Sequence, residues 1–204
     1  MVDAILSATL ERLGARTEGE SAEAAVSVHD VAARAGVGIG SLYDYFRDRD
    51  SLLAAAAAKL AQDNLDAFEA LLATTEPMSL REAVESVLDF AFRTYGNDTA
   101  KLRVVVRVTT SLGLLPTLAR SQSKFATSLA STLRRRKDVG VADIDQAAWL
   151  VTQALMGIMQ TLIWTDEAVD RRAVHDSALE MFVGYLRGEL EGEREPERAA
   201  SAAT

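Results

Sequence analysis

The sequence predicts an all-α protein in two parts, a small N-terminal module of three short helices and a larger helical domain, joined by a long connector helix. Three observations predict it. Alanine dominates an apolar share of 49% while β-branched runs are few, a composition that favours helix. Apolar residues return every three or four positions along most of the chain. Cap residues, Ser or Asp before such runs and Gly after them, divide the pattern into separate helices. At 204 residues the chain can bury a sizeable core.

In chain order, Ile5, Leu6, Thr9, Leu10 and Leu13 share one face of a first helix, which runs into a polar, small-residue stretch over 14–25. Ser27, with Asp30 three residues on, caps a second short helix that ends at Gly36 in a left-handed conformation. The stretch 38–46 resumes helical spacing, with Leu42 and Phe46 as apolar anchors, until Arg47-Asp48-Arg49-Asp50 breaks it. Either Asp48 or Asp50 can cap the long connector, which runs through the alanine stretch to Leu71 or Leu72.

Pro77 marks a boundary, and Ser79-Leu80-Arg81-Glu82 has the form of a capping box before Leu80, Val84, Val87, Leu88, Ala91 and Tyr95. Val104-Val105-Val106 suits a strand, but no partner strand occurs elsewhere, so residues 102–115 are read as helix. A further helix begins at Pro116 and ends in Arg134-Arg135-Arg136-Lys137, cations explained by the helix dipole and solvation rather than by nucleic acid. Asp143 opens a strongly apolar helix through Trp164, and the last helix spans 170–191. The expected domains are therefore 1–50 and 51–192, with 193–204 as a disordered tail.

Composition narrows the function. Without cysteine there is no disulfide framework, thiolate metal site or cysteine nucleophile, as expected of a cytoplasmic protein. No signal peptide opens the chain, and Arg, Asp, Glu or Gln interrupts each apolar run before it reaches membrane-crossing length. The net charge of −8 and pI near 4.9 argue against a protein that coats nucleic acid through general positive charge. Two histidines, His29 and His175, make no metal site by themselves, and no nucleophile–base set or phosphate loop can be assembled. Neither an enzyme, a cofactor nor a metal is expected, and His175-Asp176 reads as a solvated part of the last helix.

The strongest signal is the bihelical unit over 27–46. With Gly36 as the turn, Val31, Ala32, Ala35, Val37, Leu42 and Tyr45 fall where two steeply crossing helices need small or apolar contacts, the pattern of a helix-turn-helix. A plain helical hairpin would give the same spacing. Ser27-Val28-His29-Asp30-Val31-Ala32, then Ala35-Gly36-Val37-Gly38-Ile39-Gly40-Ser41-Leu42-Tyr43-Asp44-Tyr45-Phe46, then Arg49-Asp50-Ser51-Leu52-Leu53, resembles the N-terminal signature of TetR-family regulators. The resemblance covers about the first quarter of the chain; the rest matches in architecture only.

The resemblance implies a transcription regulator, by family habit a repressor released from operator DNA by a small effector. It makes Gly38, Ile39, Gly40 and Ser41 the start of a recognition helix that enters the major groove. It gives Tyr43 and Tyr45 hydroxyls for phosphate, though Tyr45 is equally suited to pack beneath the helix. Arg49 stands where the family usually has a phosphate-binding Lys, and Ser27 and His29 are candidates across the groove. Two features depart from the family. The sequence opens at Met1-Val2-Asp3, almost inside the first helix, where members usually carry a basic arm. The first fifty residues hold nine acids and five bases, a formal balance of −4, with Glu18, Glu20 and Glu23 in the first loop. Weak DNA affinity is therefore expected, and Asp44 must avoid phosphates or accept from cytosine N4.

A regulator of this kind needs a homodimer, because two recognition helices roughly 34 to 36 Å apart read successive major grooves. The expected interface is a stripe of Ala147, Val151, Ala154, Ile158 and Leu162 with Ala178, Met181, Phe182 and Tyr185 from the last helix. The same stripes suit a monomer core. The expected effector pocket takes Trp149, Gln153, Met156 and Gln160 with Leu88, Phe92, Tyr95, Val105, Thr109, Leu112 and Phe125, an apolar lining that fits a small hydrophobic or aromatic molecule. A helical dimer that binds a ligand or protein and no longer binds specific DNA is the competing reading.

Overall fold

The computed structural model describes residues 1–14, 26–96, 99–165 and 169–189, and all regular structure among them is helical. The described helices are α1 (Val2–Gly14), α2 (Val28–Ala35), α3 (Ile39–Tyr45), α4 (Arg49–Thr74), α5 (Leu80–Gly96), α6 (Thr99–Ser111), α7 (Leu115–Leu133), α8 (Ile144–Trp164) and α9 (Arg171–Leu186). The valine triplet thus lies in α6. Most of the expected first loop, with its three glutamates, and the 193–204 tail fall outside the described residues.

The chain forms two compact units, Met1–Asp66 with Thr94–Ser121, and Ala67–Arg93 with Gln122–Thr204. The boundary expected at residue 50 falls at the start of α4; the division into compact units falls within α4, after Asp66, and places α6 in the first unit.

In the first unit, α1 packs against α2 and α6, and α2 against α3. Ile5, Leu13, Val31, Leu42, Leu52 and Ala56 form its buried core, with Leu112 packed on the edge. Local chemistry sets the helix ends. Ser27 Oγ accepts from the Asp30 N–H at 3.4 Å, and Gly36 closes α2 at φ 68°. There Gly36 N–H donates to Ala33 O and Val37 N–H to Ala32 O, the paired bonds of a Schellman cap. Of the two candidate caps for α4, Asp48 is the one used: its Oδ1 accepts from Ser51 N–H at 2.8 Å while Ser51 Oγ accepts from Asp48 N–H at 3.2 Å. Those bonds, the one from the Ser51 backbone foremost and Arg47 next, hold the Asp48 carboxyl below the usual carboxylate range.

In the second unit the predicted capping box forms, with Ser79 N–H donating to Glu82 Oε2 at 2.8 Å. The basic cluster after α7 is structural. Arg134 pairs with Asp145, while Arg136 donates to Met78 O at 2.8 Å and to both oxygens of Asp138. Asp138 in turn accepts from the Leu80 N–H at 2.8 Å, so a residue 58 positions away caps α5. The last helix stops at Leu186 rather than 191, because Gly188 at φ 77° turns the chain out in another Schellman cap. His175, expected to be solvated, is largely covered: its ring meets Phe92 edge-on at 5.2 Å, and its Nε2 lies 3.1 Å from Asp89 Oδ1.

One sequence expectation is corrected here. Helix α8 is long and apolar enough, by length and composition, to cross a membrane, since beyond Asp145 in its first turn it carries no charged residue. Its buried face, with Ala147, Ala148, Val151, Leu155, Met159 and Ile163, is that of a core helix in the second unit.

Candidate functional site

The site is built by burying one side of α3. This helix has seven residues, and Leu42, 1% exposed, anchors it with Phe46 to the first unit's core. At about 100° per residue, the direction opposite Leu42 belongs to Gly40 and Asp44, with Tyr43 on one flank and Ser41 and Tyr45 on the other. The exposures follow that wheel except at Tyr45, which is open although it lies only about 60° from Leu42. Gly40 and Asp44 are exposed, Tyr43 and Tyr45 are 49% and 52% exposed, and Ser41 is half-buried. Tyr45 therefore faces outward rather than packing beneath the helix.

Neither glycine at the start of α3 is required by the fold. A Cβ on Gly40 would meet nothing within 4 Å, and one on Gly38 would meet only Ser41 Oγ at 3.9 Å. Gly38 is the N-cap, with φ −67° and ψ 145°, a conformation open to other residues. Ile39, expected to face DNA, packs partly on the core. His29 is exposed in the first turn of α2, while Ser27, half-buried, uses its Oγ as that helix's cap. Arg49 is half-buried in the first turn of α4.

Three further described cations of this module form ion pairs within it. Arg12 pairs with Asp30 at 3.3 Å and Arg34 with Glu11 at 2.9 Å, cross-linking α1 and α2, and Arg47 pairs with Asp48 at 3.0 Å. Arg47 is nevertheless 90% exposed, beside α3.

The residues expected around an effector lie in both compact units. In the second, Leu88 is fully buried, Phe125 stacks at a tilt on Phe68 with centroids 5.2 Å apart, and Phe92, Gln153 and Met156 are half-buried. Trp149 and Gln160 point outward, Trp149 being 50% exposed. In the first unit, Thr109 is buried, Tyr95 is half-buried with burial pushing its phenol above the ordinary value, and Leu112 serves the N-terminal core. The side chain of Val105 lies outside the described residues.

A cavity of about 30 Å³ lies within the second unit, lined by Leu72, Leu80, Val84, Leu88, Leu129, Leu133, Val151 and Phe182 among others. Of the expected effector residues only Leu88 reaches it. Phe68, Phe90 and Leu72 escaped the sequence reading, although Leu65, Phe68 and Leu72 repeat at helical spacing along α4 and mark its buried face.

The expected dimer stripe divides by burial. Ala147, Val151, Leu162, Ala178 and Phe182 are buried within the second unit and face its own core. Ala154 and Met181 are exposed, and Ile158 and Tyr185 half-buried. The outward face of α8 carries instead Trp149, Leu150, Ala154, Gly157, Thr161 and Trp164, large apolar side chains at the two ends and small residues between. Among the described residues, no group of three or more His, Cys, Asp or Glu could hold a metal ion.

Two family models match this chain. One, described as bacterial regulatory proteins of the tetR family, matches residues 22–56, and the other, a tetracyclin repressor-like C-terminal domain, matches residues 79–186, more than half of the chain. The chain belongs to the TetR family. It is thus a DNA-binding transcription regulator of helix-turn-helix type, in a family where ligand binding and dimerisation are typical.

Solved structures of TetR-family proteins share the fold. A regulator from Mesorhizobium loti MAFF303099 superposes with a TM-score of 0.67 at 16% identity, covering 90% of this chain and 93% of that one. The fatty acid degradation regulator FadR from Bacillus halodurans gives 0.65 at 20% identity, covering 91% and 96%. The repressor AlkX from Dietzia sp. strain DQ12-45-1b, implicated in biodegradation of n-alkanes, gives 0.62 at 19% identity, covering 92% and 96%. No curated protein matches the chain.

Proposed function

We propose that this TetR-family chain is a cytoplasmic, homodimeric repressor whose α2–α3 pair reads operator DNA and is released by a small apolar effector. The observation that carries the reading is the exposed side of α3. Gly40 sits inside a helix at a cost of about 1 kcal/mol relative to Ala, and nothing among the described residues demands it. A groove that must admit the helix backbone closely supplies the demand. Tyr43 and Tyr45 then reach the two groove walls, and His29, Ser27, Ser41 and Arg49 complete the contacts to phosphate.

Dimerisation is assigned to the outward faces of α8 and α9. Trp149, Leu150, Trp164 and Met181 are each at least 41% exposed, and exposed apolar clusters of that kind mark association surfaces. The effector is assigned to the second unit around Leu88, with Phe92, Phe125, Gln153 and Met156 as further candidates. The cavity that Leu88 lines, about 30 Å³, is far below the roughly 300 Å³ of an ordinary ligand site, so binding must open it. The apolar lining favours an acyl, alkyl or aromatic molecule, in keeping with the structural neighbours FadR, a fatty acid degradation regulator, and AlkX, implicated in n-alkane biodegradation.

The chain passes between the compact units at residues 66/67, 93/94 and 121/122, so a rearrangement in the second can reach the reading head along α4 and both ends of the 94–121 segment. Linkage requires that operator DNA weaken effector binding by the factor by which effector weakens DNA binding. Effector dissociation constants that are equal with and without operator would refute this coupling. No reaction is assigned to the chain.

The test is a salt-titrated binding assay on the gene's own upstream duplex and a shuffled duplex. Specific binding is expected, weakened by Tyr43→Ala, with Arg49→Ala flattening the log–log salt slope by roughly one phosphate contact, about 0.9. Equal, weak binding of both duplexes by all three proteins would favour the second reading, a ligand-binding dimer without specific DNA recognition. The −4 balance of the first fifty residues is the observation in that reading's favour.

A further inference from the structure

We infer that Asp44 is the specificity-determining residue of the recognition helix, and that each operator half-site presents a cytosine beneath it. The inference rests on the reading of α3 proposed above. Opposite the buried Leu42, the outermost positions of α3 are Gly40 and Asp44. Gly40 has no side chain, so Asp44 is the side chain of α3 that points most directly away from the core, toward the floor of a groove that admits this side.

A carboxylate at that point is selective by chemistry. It accepts hydrogen bonds and donates none, so guanine N7 and O6 and thymine O4, all acceptors, repel it. Two major-groove donors remain, the amino groups of cytosine N4 and adenine N6. Beside adenine N6 lies the N7 lone pair, which faces the second carboxylate oxygen; beside cytosine N4 lies only the C5–H edge. Cytosine is the base that leaves neither oxygen opposed.

The electrostatics point the same way. Phosphates flank the groove on both sides, and no ion pair to Asp44 is found among the described residues, where Arg12, Arg34 and Arg47 are engaged by Asp30, Glu11 and Asp48. On arbitrary DNA the Asp44 charge is therefore opposed by phosphate with nothing gained. Only a donor on the groove floor offsets it, so the same residue suppresses non-specific binding and rewards one base.

The experiment is selection from a pool of duplexes with a randomised central segment, using the intact protein, Asp44→Asn and Asp44→Ala. Wild type is expected to enrich a two-fold-related motif with cytosine at one position of each half-site, preferred by roughly tenfold over other bases. Asp44→Asn, which can donate and accept, should move that position to adenine and leave the others unchanged. Asp44→Ala should make it degenerate and raise affinity for shuffled duplex. A wild-type motif that neither variant alters would overturn the inference and leave the regulator reading standing. Failure of the wild type to enrich any motif would overturn both. Asp44 is exposed, and equal unfolding midpoints in urea will establish that the variants are folded.

Discussion

Gly140 donates its backbone N–H to the carbonyl of Leu186 at 2.9 Å, joining the loop between α7 and α8 to the end of α9. The approach is so close that a Cβ on Gly140 would lie 2.3 Å from the carbonyl oxygen of Arg187, a backbone atom fixed by the cap at Gly188. Gly140→Ala must therefore push one backbone from the other. The expected loss is about 2 kcal/mol or more, read as a lower urea midpoint with an unchanged m-value. A variant as stable as wild type would mean that the loop relaxes freely, and that the junction does not fix the end of α9.

Acid should loosen the same unit through Asp138. Its carboxyl is held below the usual range by Arg136 first and by the Leu80 N–H besides, so its folded value lies under its unfolded value. Stability from such a group is present above the ordinary carboxylate value, about 3.9, and is lost as pH falls through the folded value. Asp138→Asn should thus be less stable than wild type at pH 7, by about 1 kcal/mol for the weakened cap and ion pair. The deficit should shrink as pH falls below the ordinary carboxylate value, about 3.9, and vanish once it passes the lower folded value, where the native carboxyl is also protonated. A deficit independent of pH would assign the effect to shape rather than charge.

Caps were legible because each is written within four residues: Ser27, Gly36, Ser79–Glu82 and Asp143 all cap helices where the local pattern places them. Asp138 could not be found that way, since it caps a helix 58 residues earlier. The outward side of α3 was legible only in part: Leu42 and Phe46 mark the buried side, but Ile39 packs partly on the core and Tyr45, next to Leu42 on the wheel, is open.

Faces of α8 were harder. Ala147, Val151 and Leu162 form one stripe, and Leu150, Ala154 and Gly157 another a fraction of a turn away, both of small and apolar residues. Periodicity sees two such faces and cannot say which meets the protein's own core. Val151 and Phe182 line the internal cavity, while Trp149, expected to face a ligand, stands in the open.

Gly40 offers a test with two opposed readouts. Its Cβ position is empty space and its backbone is helical, so Gly40→Ala should stabilise the free protein by about 0.5–1 kcal/mol through helix propensity. In a protein of this size that raises the melting temperature by roughly 2–4 °C at most. Operator affinity should fall at the same time, because a methyl group on the crest of α3 holds the backbone off the groove floor. A variant that is stabilised with operator affinity intact would remove the argument that Gly40 serves DNA.

Leu150 and Val151 are neighbours in sequence on opposite duties, 41% and 6% exposed, and they separate association from folding. Leu150→Glu places a carboxylate on a face already open in the protomer, so helix content and thermal stability of the monomer should change little. If that face joins two copies, the charge must be desolvated against apolar Trp164, Met181 and their partners, costing several kcal/mol per interface. Sedimentation should then show a monomer at micromolar concentration, and operator affinity should fall steeply, since two half-sites can no longer be engaged together. Val151→Glu buries the same charge inside the second unit and should unfold it, lowering the circular dichroism signal itself. A Leu150→Glu protein that sediments as a dimer would place the association surface elsewhere than on the outward side of α8.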